Sequence, residues 1–179
     1  RVIQNPADSV SFRRIVNVPR RGIGDTSLGH LQAAADQAGL SLYDVCKQLH
    51  TVTTIGAKAK NALTDLARLL DHLREAAAKE SVADLITRVM KESGYVAELE
   101  QEGTPEAQAR VENLQELLTV AREFITAEET ETEEDSLEAF LNHVALVADI
   151  DSADLETDRM MLMTLHSAKG LEFPTVYLI

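Results

Sequence analysis

The chain has 179 residues, 45% hydrophobic and 26% charged, which is enough apolar material for one ordinary buried core and too much for a disordered chain. Lys and Arg number 17 against 30 Asp and Glu, a net charge of −13 that, read as an average, argues against a nucleic-acid ligand; the single Cys46 excludes an intramolecular disulfide and a cysteine-based zinc site. No apolar run approaches the roughly 18 residues that cross a bilayer, and residues 1–6 lack a signal-peptide layout, so a cytoplasmic protein without a membrane partner is expected.

Charge is not evenly spread. Residues 1–60 hold eight Lys and Arg and four acids, a net of +4, which leaves −17 for the rest. Within the basic part, Ile23-Gly24 followed by Leu31 recurs 32 positions later as Ile55-Gly56 followed by Leu63, each time just before a helical stretch. Glycine tolerates positive φ and close backbone approach. The N–H groups that open the next helix point outward, where the helix dipole favours a phosphate. Arg20 and Arg21 before the first turn, and Lys58 and Lys60 after the second, add positive charge. The pattern resembles the helix-hairpin-helix device that grips a nucleic-acid backbone without reading bases; the plainer reading is a pair of ordinary glycine turns between helices.

Helical periodicity continues through the acidic part. Ser81 with Asp84 forms a capping-box-like start for a stripe of Val82, Leu85, Ile86, Val89 and Met90 that ends near Gly94. Thr104-Pro105 places an N-cap before a proline at the first helical position, and Val111, Leu114, Leu117, Leu118, Ala121 and Ile125 carry the stripe on. Residues 128–135 contain no apolar side chain and repel one another, which predicts a mobile acidic loop. Ser136 is placed to cap a further helix with Leu137, Phe140, Leu141 and Val144 inward.

Two short apolar runs, at 160–165 and 175–179, have the length of buried strands rather than helices. Strands need a sheet to join, and the second run is still apolar at Ile179, so a piece of a larger protein is expected. Between them lies Leu162-Met163-Thr164-Leu165-His166-Ser167-Ala168-Lys169-Gly170-Leu171-Glu172-Phe173-Pro174. This is a polar turn with a hydroxyl, an imidazole, an ammonium and a carboxylate between two strands, where ligands bind in α/β sheets. Ordinary exposed loop residues would show the same spacing. It is not a phosphate-binding loop of the Gly-Lys-Ser/Thr kind, because a single glycine follows the lysine.

That stretch resembles motif V of superfamily I DNA helicases of the UvrD, PcrA and Rep type along its whole length. The resemblance extends over nearly the entire chain. Asn5-Pro6-Ala7-Asp8 and Asn17-Val18-Pro19-Arg20-Arg21-Gly22-Ile23-Gly24 are similar to the start of the subdomain called 2B, and Ser93-Gly94-Tyr95 and Arg110-Val111-Glu112-Asn113-Leu114-Gln115-Glu116-Leu117 to its later helices. It implies a mainly α fold: a helical 2B-like accessory subdomain over 1–157, and over 158–179 two short C-terminal strands from a truncated RecA-like α/β motor domain, 2A. It further implies that Gly22, Ile23 and Gly24 contact duplex DNA, and the glycine repeat with its flanking charges adds Arg20, Arg21, Gly56, Lys58 and Lys60 to that expected surface. By the same resemblance Thr164 and His166 line a single-stranded DNA track, while Lys169, Gly170 and Glu172 lie toward the nucleotide.

The implied parent is an ATP-dependent 3′-to-5′ DNA helicase using ATP and Mg2+, acting in unwinding and repair. The 179 residues hold no Gly-Lys-Thr loop, no Asp-Glu pair for magnesium and no C-terminal arginine motif, so no catalytic residue, metal ligand, cofactor or ATP hydrolysis is expected of them alone. The expected partners are a single-strand/duplex junction bound without sequence preference, the parent's own motor domains, and repair or transcription proteins. The competing function is a protein-interaction and regulatory module that docks partners through its acidic helices.

Overall fold

The computed structural model describes residues 1–128, 137–151 and 175–177. The described elements are helices α1 (Ser9–Ile15), α2 (Asp25–Ala38) and α3 (Leu42–Lys47), a 3-10 turn (Leu49–Thr51), then α4 (Ala57–Ala77), α5 (Val82–Glu92), α6 (Tyr95–Glu102), α7 (Pro105–Glu128) and α8 (Leu137–Asp151).

Local chemistry sets half of the described helix starts. Asp8 Oδ1 accepts from the Ser11 amide at 2.9 Å to open α1. Ser41 Oγ takes the Asp44 amide at 3.1 Å for α3, and Ser81 Oγ takes the Asp84 amide at 3.2 Å for α5. Thr104 Oγ1 takes the Ala107 amide at 3.1 Å, so α7 begins at Pro105 as its sequence suggests. The stop signals are as local. Gly94 (φ +77°) separates α5 from α6, and Gly103 (φ +63°) ends α6, both in the left-handed region where a side chain would be strained.

Compactness divides the chain into Arg1–Leu141 and Asn142–Ile179. In the first unit, α3 packs on α1, α2 and α4, and together with the N-terminal segment they enclose Phe12, Val16, Ile23, Leu31, Leu42, Cys46, Ile55 and Leu63. Farther along, α5 packs against α4, α6 and α7, and Val82, Leu85, Leu99 and Ala121 are buried. Phe124 meets Phe140 edge-on, with ring centroids 5.5 Å apart and planes at 70°. The described part of the second unit is the remainder of α8 together with Thr175–Tyr177.

One part of the expected fold class is overturned. The chain is mainly α, but among the described residues there is no strand. Thr175, Val176 and Tyr177, inside the second expected strand, form a bend and irregular backbone, with Val176 and Tyr177 exposed at 66% and 84%. A strand exists only when a neighbour takes its hydrogen bonds, and the described partners are all helices. The first run, 160–165, lies outside the described residues, as do the boundary at 157/158, the Ser136 cap and all of the acidic segment beyond Glu128. Glu128 itself is the last residue of α7 rather than loop.

Candidate nucleic-acid interface

The repeat read from the sequence is a structural repeat. Ile23 and Ile55 are both buried, as are Leu31 and Leu63 one helical stretch later, so each Ile-Gly pair anchors its turn in the same core. Gly24 and Gly56 are then the N-caps of α2 and α4. Their carbonyls accept the first helical bonds, from the Leu28 amide at 3.1 Å and the Lys60 amide at 3.0 Å. Neither has a side-chain cap, unlike α1, α3 and α5, so the first-turn N–H groups of both helices meet no capping side chain.

The reason for glycine differs from the expected one. Gly24 (φ −82°, ψ 166°) and Gly56 (φ −67°, ψ 153°) are extended, and a β-carbon at either would meet no heavy atom within 4 Å beyond its chain neighbours. Positive φ belongs instead to Gly22, at +71°. A β-carbon there would sit 3.5 Å from Lys58 Cε and 3.8 Å from Nζ. Lys58, in the first turn of α4, thus reaches across the turn that precedes α2, and the two glycine turns lie side by side.

The charges divide into two kinds. Lys58 is exposed and Lys60 half-buried, and α4 has no acid in its first turn. Cations there oppose the helix dipole, at about 0.3–1 kcal/mol each for exposed positions. Arg20 is exposed, and its amide donates to Glu98 Oε1 of α6 at 2.9 Å. Arg21 is turned the other way. Its Nη1 donates to the carbonyls of Ile15 (2.9 Å), Val18 (3.0 Å), Pro19 (3.2 Å) and Val16 (3.4 Å), which gathers the end of α1 and the following loop around one guanidinium. Burial pulls its pKa down from the ordinary value, with the nearby Glu98 carboxylate opposing; arginine remains charged regardless. Val18-Pro19 in this loop is a cis peptide.

Two residues that organise the turn were not among the expected site residues. Asn17 Oδ1 accepts from the Arg21 amide at 2.9 Å and the Ile23 amide at 3.4 Å, bracing the loop from within. Glu98 reaches the loop from 78 positions away. An Asn six residues before a buried Ile in a glycine turn was the available clue to the first; a contact across that sequence distance offers none.

The structure brings Arg20, Arg21, Gly22, Ile23 and Gly24 together with Lys58 and, through the cap of α4, with Gly56 and Lys60. Thr164, His166, Lys169, Gly170 and Glu172 lie outside the described residues. Among the described residues no group of three or more His, Cys, Asp and Glu is placed to hold a metal ion, and no helix is long and apolar enough to cross a membrane.

The family resemblance read from the sequence agrees with what the chain is similar to. The model of the UvrD-like helicase C-terminal domain matches residues 1–179. The chain is 40% identical, over its full length, to the ATP-dependent DNA helicase PcrA of Bacillus subtilis and to DNA helicase II of Salmonella typhimurium and of Escherichia coli. It spans about a quarter of the length of these relatives, 24% of the first and 25% of the other two. With the whole chain matched and no segment left over, the protein belongs to the UvrD-like helicase C-terminal domain family.

Proposed function

We propose that the chain is the duplex-gripping accessory part of an ATP-dependent 3′-to-5′ DNA helicase, holding the phosphate backbone of a single-strand/duplex junction with its paired glycine turns. The observation that carries this reading is Lys58 lying across Gly22, which joins two uncapped helix starts and their cations into one surface. Relatives named as ATP-dependent DNA helicases supply the reaction class, with ATP and Mg2+ belonging to the parent's motor domains. Residues 1–157 form the 2B-like accessory part and 158–179 return to the motor domain. Thr164 and His166 of that segment are assigned to contact with single-stranded DNA, and Lys169, Gly170 and Glu172 to the nucleotide. Contacts through backbone N–H groups and lysines are insensitive to base sequence and weaken with salt.

Anisotropy titration of a fluorescent junction over a range of salt concentrations tests this. Binding is expected to weaken linearly on a log–log plot, and Lys58→Ala to reduce the slope by about 0.9, the value for one phosphate contact. Binding that ignores salt, or a Lys58→Ala slope equal to that of the unaltered chain, overturns the reading.

A further inference from the structure

A carboxylate beside a phosphate-gripping surface is a poor neighbour, since it repels the ligand the surface is built to hold. Glu98 stands in that position. From α6 its Oε1 accepts the Arg20 amide at 2.9 Å, and its charge is felt by the Arg21 guanidinium. The next turn of chain back, at Gly94, touches the same loop, because a β-carbon there would lie 3.9 Å from Pro19 Cγ. The start of α6 therefore lies beside Pro19 and Arg20 of this loop. Asn17 and Arg21 close the loop from inside by gathering its amides and carbonyls. None of these three side chains needs to touch a ligand to matter, because together they fix where Gly22 lies under Lys58 and where the N–H groups after Gly24 point.

We infer that Glu98 is a positioning residue for the phosphate-gripping turn: it holds the Arg20 amide from α6 while Asn17 and Arg21 brace the loop from within, which keeps Gly22 beneath the Lys58 side chain. The inference rests on the proposed DNA contact at that turn and makes a prediction of unusual sign. Electrostatics alone says that deleting an acid next to a DNA surface tightens binding. A positioning role says that Glu98→Ala weakens it, whereas Glu98→Gln, which keeps an oxygen acceptor at the same reach without the charge, binds at least as well as the unaltered chain.

The test pairs two measurements on the full 179-residue chain: junction affinity by anisotropy, and amide hydrogen exchange at Arg20 in the absence of DNA. Losing one hydrogen bond of ordinary strength corresponds to roughly a two- to tenfold change in each. Glu98→Ala is expected to speed Arg20 exchange and weaken binding within that range, leaving exchange in α2 and α4 unaltered, and Glu98→Gln to restore both. Glu98→Ala binding as tightly as the unaltered chain, or more tightly, overturns the positioning role alone. An unaltered chain that shows no salt-dependent binding overturns the DNA reading and the inference with it, so the two failures are told apart.

Discussion

Gly56→Asp should stabilise the fold and weaken its grip on DNA, and both magnitudes follow from the cap geometry. Gly56 sits at φ −67° and ψ 153°, the backbone of an ordinary N-cap, with open space where a side chain would go. An Asp there takes a first-turn amide of α4, which adds a few tenths of a kcal/mol over glycine. A carboxylate at the positive end of α4, next to Lys58 and Lys60, contributes about 0.3–1 kcal/mol more. The net gain of about 0.5–1.5 kcal/mol corresponds to a Tm higher by roughly 1–6 °C for a chain of this size, read by circular dichroism at the helix band. The same carboxylate occupies the N–H groups offered to a phosphate and repels the phosphate besides. A lost charge-assisted hydrogen bond of about 1.5–3 kcal/mol lowers junction affinity at least about tenfold. A Gly56→Asp chain that is more stable and binds DNA as tightly as before would refute the placement of a phosphate at the start of α4.

Gly22→Ala and Gly24→Ala separate conformational need from cap chemistry. The first forces a β-carbon into the left-handed region at φ +71° and should cost about 1 kcal/mol in urea unfolding, while the second, extended and open, should change stability by less than about 0.5 kcal/mol. Glu80 is held below its ordinary 4.5 by hydrogen bonds from Arg88, so its contribution to stability is complete above pH 4.5 and is lost as pH falls through the lowered native value. The urea midpoints of the unaltered chain and of Arg88→Met should therefore differ by a constant amount above pH 4.5 and converge below it. Burial pushes the Cys46 thiol up to about 12, so at pH 8 it should resist a thiol-specific reagent in the native state and react fully in urea.

How much of this was legible in the sequence depended on the range of the interaction. Ser81 with Asp84, and Thr104 with Pro105, are decided within four residues, and the helices they open start where the pattern places them. The Ile-Gly repeat was visible because burying Ile23 and Ile55 in one core leaves the same spacing to Leu31 and Leu63. The φ expected at Gly24 and Gly56 was not right, because a glycine before a helix is read equally well as a left-handed turn or as an extended cap, and only Gly22 needs the former. Arg21 looked like its neighbour Arg20, yet the carbonyls left open at the end of α1 draw its guanidinium inward, and nothing in the local sequence says which of two adjacent arginines they will take. The second expected strand fails for a related reason. Its apolar pattern is local, but the sheet that would satisfy it is not supplied by any described element.

Capping shows where this chain departs from what would stabilise it most. Helices α1, α3 and α5 start under a side-chain acceptor, and α7 has Thr104. At α2 and α4, whose preceding turns meet where Lys58 lies over Gly22, that acceptor is missing, as it is at the N-cap of α6, and α4 further carries two lysines against its own dipole. Either helix could accept a serine or aspartate cap in the space available. Local departures from the stabilising choice are expected where a ligand supplies the missing partner. On the proposed reading that partner is an anion at α4, whose first turn holds no acid, while α2 opens with Asp25, and a ligand with anions in series, such as a nucleic-acid backbone, is the one that would reach both helix starts. The net charge of −13 is compatible with that, since salt screens an exposed charge beyond about 8–10 Å, and a phosphate at the α2–α4 edge responds mainly to the cations within that reach.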